Sequence, residues 1–110
     1  MIVAVVAWLE GEGWALDQSP HDGGPGIVVA RRDGQRLTAL VSAATTAEGV
    51  DAAVGALLRT IDPAEEGTAY ALVVPEAVVR YAVRVHPEVR HRLGIEVHGV
   101  DGSGRVRGRR

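Results

Sequence analysis

The stretch that decides the fold is residues 26–41, which read GIVVARRDGQRLTALV. Its two outer runs, 27–31 and 37–41, are rich in β-branched and other apolar residues, and such runs favour strands. Between them stands Asp33-Gly34, a strong hairpin signal because both central residues of a type I′ turn need positive φ. The stretch therefore predicts two antiparallel strands joined by a tight turn that is rich in arginine.

Downstream of this hairpin the sequence predicts three helices and two strands. Thr45-Thr46-Ala47-Glu48 matches a capping box, which marks the start of a helix. That helix ends at Asp62-Pro63, because proline cannot continue it. The remaining elements are a buried strand at 70–74, a helix from Pro75 to His86-Pro87, a short helix from Pro87 to Leu93 that ends at Gly94, and a last strand at 95–100.

Upstream, apolar residues recur at helical spacing from Ile2 to Leu9 and stop at Gly11, which predicts a helix, with a short strand as the competing interpretation. A strand at 14–18 and a Gly/Pro-rich loop before the hairpin complete the order. That order, α-β-β-β-α-β-α-α-β, predicts an α/β fold in which helices flank a mixed β-sheet.

The composition limits the chemistry of the domain. The 110 residues (11.6 kDa) are expected to form one domain over 1–104, followed by a basic, flexible C-terminal tail at 105–110. The absence of cysteine excludes disulfides, thiolate metal sites and cysteine nucleophiles. All twelve basic residues are arginine, so Schiff-base and P-loop chemistry are excluded, and the net charge is −2.

The apolar opening of the chain, MIVAVVAWL, is too short to span a membrane, which takes about 20 residues. It also lacks the basic first segment of a signal peptide. The sequence is therefore expected to be cytoplasmic, with no membrane partner.

Five segments, in order, look like parts of one known family. They are Gly24 to Val28, Arg31 to Leu37, Gly55 to Arg59, Tyr70 to Pro75, and Arg92 to Val106. Together they resemble the restriction-endonuclease-like (PD-(D/E)XK) nuclease superfamily over residues 1–106. The resemblance implies a restriction-endonuclease-like core and a site in which two carboxylates and a lysine surround Mg²⁺.

The functional positions of that family are degenerate in this sequence. The resemblance places the two carboxylates at Gly26 and Ala39, the lysine at Val41 and a helix glutamine at Ala56. None of these side chains offers an oxygen ligand or a proton-transfer group. The prediction is a catalytically inactive nuclease-like domain without a cofactor that acts by binding nucleic acid or a protein partner.

Two other functions stay open. One is a metal-dependent nuclease whose Mg²⁺ site has migrated to Glu10, Asp17, His21 or Asp22. The other is a structural homodimerisation module. Its interface would be the first helix, which is apolar on more than one side and has Trp8 as the largest member of its surplus apolar surface. The alternative is that Trp8 packs on the strand of Trp14 within the monomer.

Arginine placement gives the remaining functional signal, because guanidinium groups bind phosphate in a bidentate way. If the hairpin and the tail share a face, they form one basic nucleic-acid-binding patch. Its members would be Arg31, Arg32, Arg36, Arg105, Arg107, Arg109 and Arg110. The histidines do not have zinc-ligand spacing, so His86, His91 and His98 are expected at the surface.

Overall fold

The computed structural model describes residues 1–18, 26–61, 67–85 and 87–109. The elements follow the predicted order, with one strand in addition. They are α1 (Ile2–Gly11), β1 (Ala15–Gln18), β2 (Gly26–Arg32), β3 (Gln35–Val41), α2 (Ala47–Thr60), β4 (Thr68–Pro75), a 3₁₀ turn (Glu76–Val78), α3 (Val79–Ala82), α4 (Pro87–Leu93), β5 (Ile95–Val100) and β6 (Val106–Arg109).

Within these ranges six strands form one mixed sheet in the order β1-β2-β3-β4-β5-β6. The first three strands are antiparallel, β3, β4 and β5 are parallel, and β6 is antiparallel to β5. Parallel neighbours need crossover connections, and helices α2, α3 and α4 supply them. The predicted α/β fold with a mixed sheet is confirmed.

The hairpin has the turn that its sequence predicts. Asp33 and Gly34 have φ values of 51° and 78°, as a type I′ turn requires. The two strands then pair without a bulge from Arg32 opposite Gln35 to Gly26 opposite Val41. This unbroken register fixes which side chains share a face of the sheet.

The core lies in two layers, one on each side of the sheet. On the α1 face, Val5 and Leu9 of α1 pack with Val28, Ala39 and Val73 of the central strands. On the α2 face, the helices that follow β3 and β4 cover a second cluster, which includes Leu40, Val50, Leu57, Leu72, Val79 and Val97. The protein is therefore a three-layer domain with α1 alone on one side. None of the helices in the described ranges is both long and apolar enough to cross a membrane.

The cap of α2 lies one residue later than predicted. Thr46 is the N-cap residue, and its Oγ1 accepts a hydrogen bond from Gly49 N at 3.1 Å. Glu48 is therefore not at the third helical position that a capping box requires. A Cβ at Gly49 would lie only 2.9 Å from the Ala44 Cβ, so the glycine allows the chain to approach the first turn closely.

The C-terminal segment corrects the expectation of a flexible tail at 105–110. Val106–Arg109 forms strand β6, which pairs with β5 from Val100 opposite Val106 to Val97 opposite Arg109. Val106 packs on the α1-face cluster while Arg107 is exposed, which is the alternation of a half-buried edge strand. The domain thus extends through this strand, and Arg110 lies outside the described residues.

Asp101 holds the turn between β5 and β6. Its Oδ1 accepts hydrogen bonds from Ser103 Oγ at 2.6 Å, Arg105 N at 2.9 Å and Ser103 N at 3.0 Å. The hydrogen bond from the Ser103 hydroxyl, then that from the Arg105 amide, lowers the pKa of Asp101 below its ordinary value of 3.8. The charged carboxylate is therefore a structural part of this turn.

This turn predicts an acid-dependent loss of stability. Because the folded pKa of Asp101 is depressed, its contribution is complete above the unfolded pKa and disappears as pH falls through the folded pKa. We expect Asp101→Asn to lower the free energy of unfolding at roughly pH 6, and the difference from wild type to shrink at roughly pH 3. Urea unfolding of both proteins at the two pH values measures this difference in the free energy of unfolding. Asp51→Asn removes an exposed carboxylate of α2 and is the control. A constant difference at both pH values would contradict the assignment.

Candidate functional site

Three of the four degenerate positions come together in the structure. Gly26 pairs directly with Val41 across the hairpin, and Ala39 lies two residues before Val41 on the same face. All three are on the α1 face near the carboxyl end of β3. The structure thus brings Gly26, Ala39 and Val41 to one place in the fold.

That place is part of the hydrophobic core. The exposed fractions of Ala39 and Val41 are 1% and 3%, and both belong to the cluster that Val5 and Leu9 of α1 complete. Glycine, alanine and valine side chains offer no oxygen, and Mg²⁺ takes oxygen ligands. These residues do not fit the metal that the nuclease resemblance implies.

The fourth position, Ala56, lies apart from the other three. It is half-buried on α2 and packs against the cluster on the α2 face, so the sheet separates it from Gly26, Ala39 and Val41. A glutamine in this place would not contact the other three positions directly.

The residues proposed for a migrated metal site are only partly described. Glu10 is exposed in the last turn of α1, and Asp17 lies in β1. His21 and Asp22 lie outside the described residues. Among the residues that the structure describes, no three His, Asp or Glu side chains are grouped as a metal site would require.

The hairpin arginines line one open cavity. Arg31, Arg32 and Arg36, together with Gly67 and Thr68, surround about 450 Å³ at the amino ends of β3 and β4. The cavity is polar, because every other residue of the turn also borders it. This is the largest concentration of positive charge that the sequence predicted and the structure describes in one place.

Arg32 is held in a defined position in this cavity. Its Nη1 donates a hydrogen bond to the Glu12 carbonyl oxygen at 2.8 Å, and its guanidinium carbon lies 4.4 Å from the centre of the Trp14 ring. A guanidinium group has five N–H donors, so this one hydrogen bond leaves others for a ligand. The stacking on Trp14 lowers the entropy that Arg32 loses on binding.

Arg105 and Arg107, the tail arginines whose side chains the structure describes, lie apart from this group. Arg107 pairs opposite Gly99 at the carboxyl half of β5, and its Nε lies 3.6 Å from Asp101 Oδ2. Arg105 lies in the adjoining turn. The hairpin cavity is at the opposite end of the sheet. Arg109 is opposite Val97, but its side chain, like Arg110, lies outside the described part of the chain.

The hairpin cavity is also far from the degenerate nuclease positions. Gln35 and Val41 are six residues apart on one strand, which corresponds to about 20 Å at 3.3 Å per residue. The arginines and the positions that the nuclease resemblance names are therefore two different places, and a ligand of the first does not need the second.

His98 is buried, contrary to the expectation of surface histidines. Its Nε2 lies 3.1 Å from Glu96 Oε2, and its ring centre is 4.9 Å from that of Trp8. Its Nδ1 has no hydrogen-bond partner among the described residues. A Cβ at Gly108 of β6 would lie 3.3 Å from this nitrogen, so Gly108 leaves the space that the ring occupies. His91 is exposed as expected, and His86 lies outside the described residues.

The contact with His98 also corrects the role of Trp8. Trp8 is half-buried and packs on the α1-face cluster, so it is not the largest exposed side chain of the first helix. The exposed side of α1 instead carries Val3, with 81% of its surface exposed, and Ala7. Homodimerisation through the first helix stays a prediction.

Sequence reasoning missed one buried charged residue, Arg90 of α4, which is 5% exposed. Its Nε donates a hydrogen bond to the Val85 carbonyl oxygen at 3.0 Å. A signal was present in the sequence, because Arg90 precedes Leu93 by three residues and so shares its helix face.

Comparison with solved structures identifies the fold. The chain is similar to an XisH family protein from Nostoc punctiforme, with a TM-score of 0.67, 14% identity, and coverage of 99% of this chain and 98% of that one. It is also similar to an FdxN element excision controlling factor protein from Anabaena variabilis, with a TM-score of 0.65, 16% identity, and coverage of 96% and 93%. No family model and no curated protein sequence matches. The likeness covers nearly the whole chain, and the α/β fold with helices flanking a mixed sheet, expected from the sequence, is confirmed.

Proposed function

We propose that this domain is a degenerate, non-catalytic member of the restriction-endonuclease-like superfamily that binds the phosphate backbone of nucleic acid. The observation that carries the proposal is the open cavity at the hairpin turn, which Arg31, Arg32 and Arg36 border together with Asp33. Arginine is the side chain best suited to bidentate contact with phosphate oxygens.

The absence of catalysis follows from the degenerate positions. Without a carboxylate at Gly26 or Ala39 and without a base at Val41, the site has no group to hold a metal or to activate water. Because α1 packs over these positions, a phosphodiester has no access to them. Binding of nucleic acid without cleavage is then the activity proposed for this domain.

The arrangement favours recognition that does not depend on sequence. Phosphate contacts position a protein on nucleic acid but do not read bases, and the cavity offers mainly guanidinium groups. The net charge of −2 provides no general attraction, so affinity is expected to be modest and local to this turn. One structural neighbour is named as a factor that controls excision of the FdxN element, a role compatible with a nucleic-acid ligand.

The test is a salt titration with a matched charge control. We expect Arg31→Gln/Arg32→Gln/Arg36→Gln to weaken binding of labelled duplex DNA at least about tenfold at low salt. We also expect it to reduce the slope of log K against log salt by about 0.9 for each phosphate that these arginines neutralise. Arg59→Gln/Arg80→Gln/Arg92→Gln removes the same charge from exposed helical positions and should bind almost as wild type. Fluorescence anisotropy measures both quantities.

Three outcomes would replace the proposal. Equal weakening by the two triple variants would assign the effect to net charge, and unchanged binding by the hairpin variant would remove the cavity from the interface. Cleavage of the same DNA in Mg²⁺ or Mn²⁺ that survives repurification and disappears in Glu10→Ala or Asp22→Ala would instead support the migrated nuclease site.

A further inference from the structure

A second cavity lies beside α4, one strand away from the hairpin cavity. It has a volume of about 590 Å³ and opens between α4 and the amino ends of β4 and β5. Its walls include Ala69, Pro87 and Ile95, and its polar groups come from Arg90, His91 and Glu96. The volume lies within the range of small-molecule sites, about 300–1,000 Å³.

Arg90 is the unusual feature of this cavity. The residue is 95% removed from solvent, yet its only hydrogen bond with a described residue is the one from Nε to Val85 O. No carboxylate within the described ranges lies at ion-pair distance from it. A guanidinium that leaves water costs free energy unless an anion and hydrogen-bond acceptors replace the water.

Packing explains why the side chain is buried, and the terminal nitrogens are not among the buried atoms that lack a partner, so the charged end of Arg90 still meets water. Arg90 also lines a small apolar cavity of about 50 Å³ formed with Leu57, Leu72 and Val97. Its carbon stem can pack against such residues while the charged end reaches more polar surroundings. The two terminal nitrogens remain as parallel donors, because Nε is already used by Val85.

We propose that this cavity binds a small organic carboxylate, whose two oxygens accept hydrogen bonds from the terminal nitrogens of Arg90. The planar fork of a guanidinium matches a carboxylate in a bidentate way, and burial strengthens the contact. The apolar walls formed by Ala69, Pro87 and Ile95 hold the apolar part of the ligand.

The acidic neighbour defines the charge of the ligand. Glu96 borders the same cavity, and its Oε2 lies 3.1 Å from the buried His98 Nε2. A carboxylate in this position repels ligands of high negative charge, so a monoanion fits better than a phosphate. This site is independent of the proposed phosphate-backbone contact at the hairpin, whose three arginines do not line it.

The test is an NMR titration of the full chain with benzoate, acetate and inorganic phosphate at constant ionic strength. We expect benzoate to give saturable amide shifts at His91, Gly94 and Ile95, with a Kd at least about tenfold lower than that of acetate because the walls are apolar. Phosphate should bind more weakly than benzoate.

Two variants locate the effect. Arg90→Lys keeps the charge and the stem but loses the planar fork, so its melting temperature should stay near that of wild type while its affinity for benzoate falls about tenfold. Arg90→Gln should abolish the saturable shifts. If Arg90→Gln does not fold, the benzoate affinity of Arg90→Lys alone tests the proposed site. The triple hairpin variant should bind benzoate as wild type, which separates this site from the proposed function.

Four results would overturn the inference. They are the absence of saturable shifts in wild type, equal benzoate affinity in wild type and Arg90→Lys, tighter binding of phosphate than of benzoate, and loss of benzoate binding in the triple hairpin variant.

Discussion

Introducing two of the three metal-site residues of the nuclease family, with Ala39→Glu and Val41→Lys, is expected to unfold the domain and not to create a nuclease. Both positions lie in the core beneath α1, where their exposed fractions are 1% and 3%. A charged group in such a place lacks water and hydrogen-bond partners. Each single substitution is expected to cost about 3–5 kcal/mol, comparable to the cost of leaving one buried charge without its partner. A small domain has only about 5–15 kcal/mol of total stability.

The measurement combines thermal unfolding by circular dichroism with a cleavage assay in Mg²⁺. Ala56→Gln inserts the glutamine of the nuclease family at a half-buried helical position and is the matched control, with an expected loss below about 1 kcal/mol. A double variant that stays folded and cleaves DNA would show that α1 can leave the sheet. The proposal that α1 keeps a phosphodiester away from these positions would then be wrong.

The hairpin was predictable because its signals are local. Asp33 and Gly34 adopt the positive φ of a type I′ turn without help from distant residues. A two-residue turn then fixes how the two strands pair, and they pair without a bulge. For this reason the positions that correspond to the nuclease motif could be placed face to face from the sequence. Their burial could not be predicted, because it depends on where α1 packs.

The side of α1 that meets the sheet was not predictable for a related reason. Residues 2–9 are all apolar, so no polar stripe marks the exposed face. Val5 and Leu9 are buried and Val3 is exposed, although all three are aliphatic. Trp8 lies toward the core because His98 offers it a ring to pack against.

Arg90 and His98 show the same limit for polar residues. Composition places arginine and histidine at the surface, whereas tertiary packing buries both of them here. The Nδ1 of His98 is buried without a hydrogen-bond partner among the described residues, whereas the hydrogen bond of Arg90 within those residues comes from Nε. The spacing of residues along the sequence does not predict the surroundings of such side chains. Arg90 is the basis of the carboxylate site proposed above.

Strand β6 was mistaken for a tail because its sequence, VRGR, has two arginines and a glycine. The glycine is needed because a Cβ at Gly108 would press on the His98 ring, and arginines on an edge strand discourage pairing with other chains. Composition therefore indicated a flexible tail, although the glycine and the arginines of this segment each suit an edge strand.

Truncation after Gly104 is therefore expected to destabilise the whole domain and not merely to remove positive charge. It removes the ladder with β5 and the packing of Val106 on the α1-face cluster, and it leaves the turn at Asp101 without Arg105. The missing hydrogen bonds at about 1 kcal/mol each, together with the reduced apolar burial, give an expected loss of about 3 kcal/mol or more.

The truncated chain should also associate, because β5 becomes an exposed edge that is rich in buried residues. The full-length variant Arg105→Gln/Arg107→Gln/Arg109→Gln/Arg110→Gln removes the same four charges but keeps the strand. It should stay monodisperse and lose less than about 1 kcal/mol, since Arg105 and Arg107 are exposed and the backbone of the strand is unchanged. Urea unfolding and light scattering compare the truncated chain with the charge variant.

If the charge variant loses as much stability as the truncated chain, the arginine side chains and not the strand stabilise this edge of the sheet. A loss of DNA binding in the truncated chain alone would then reflect unfolding, because only the charge variant isolates the contribution of these arginines to binding.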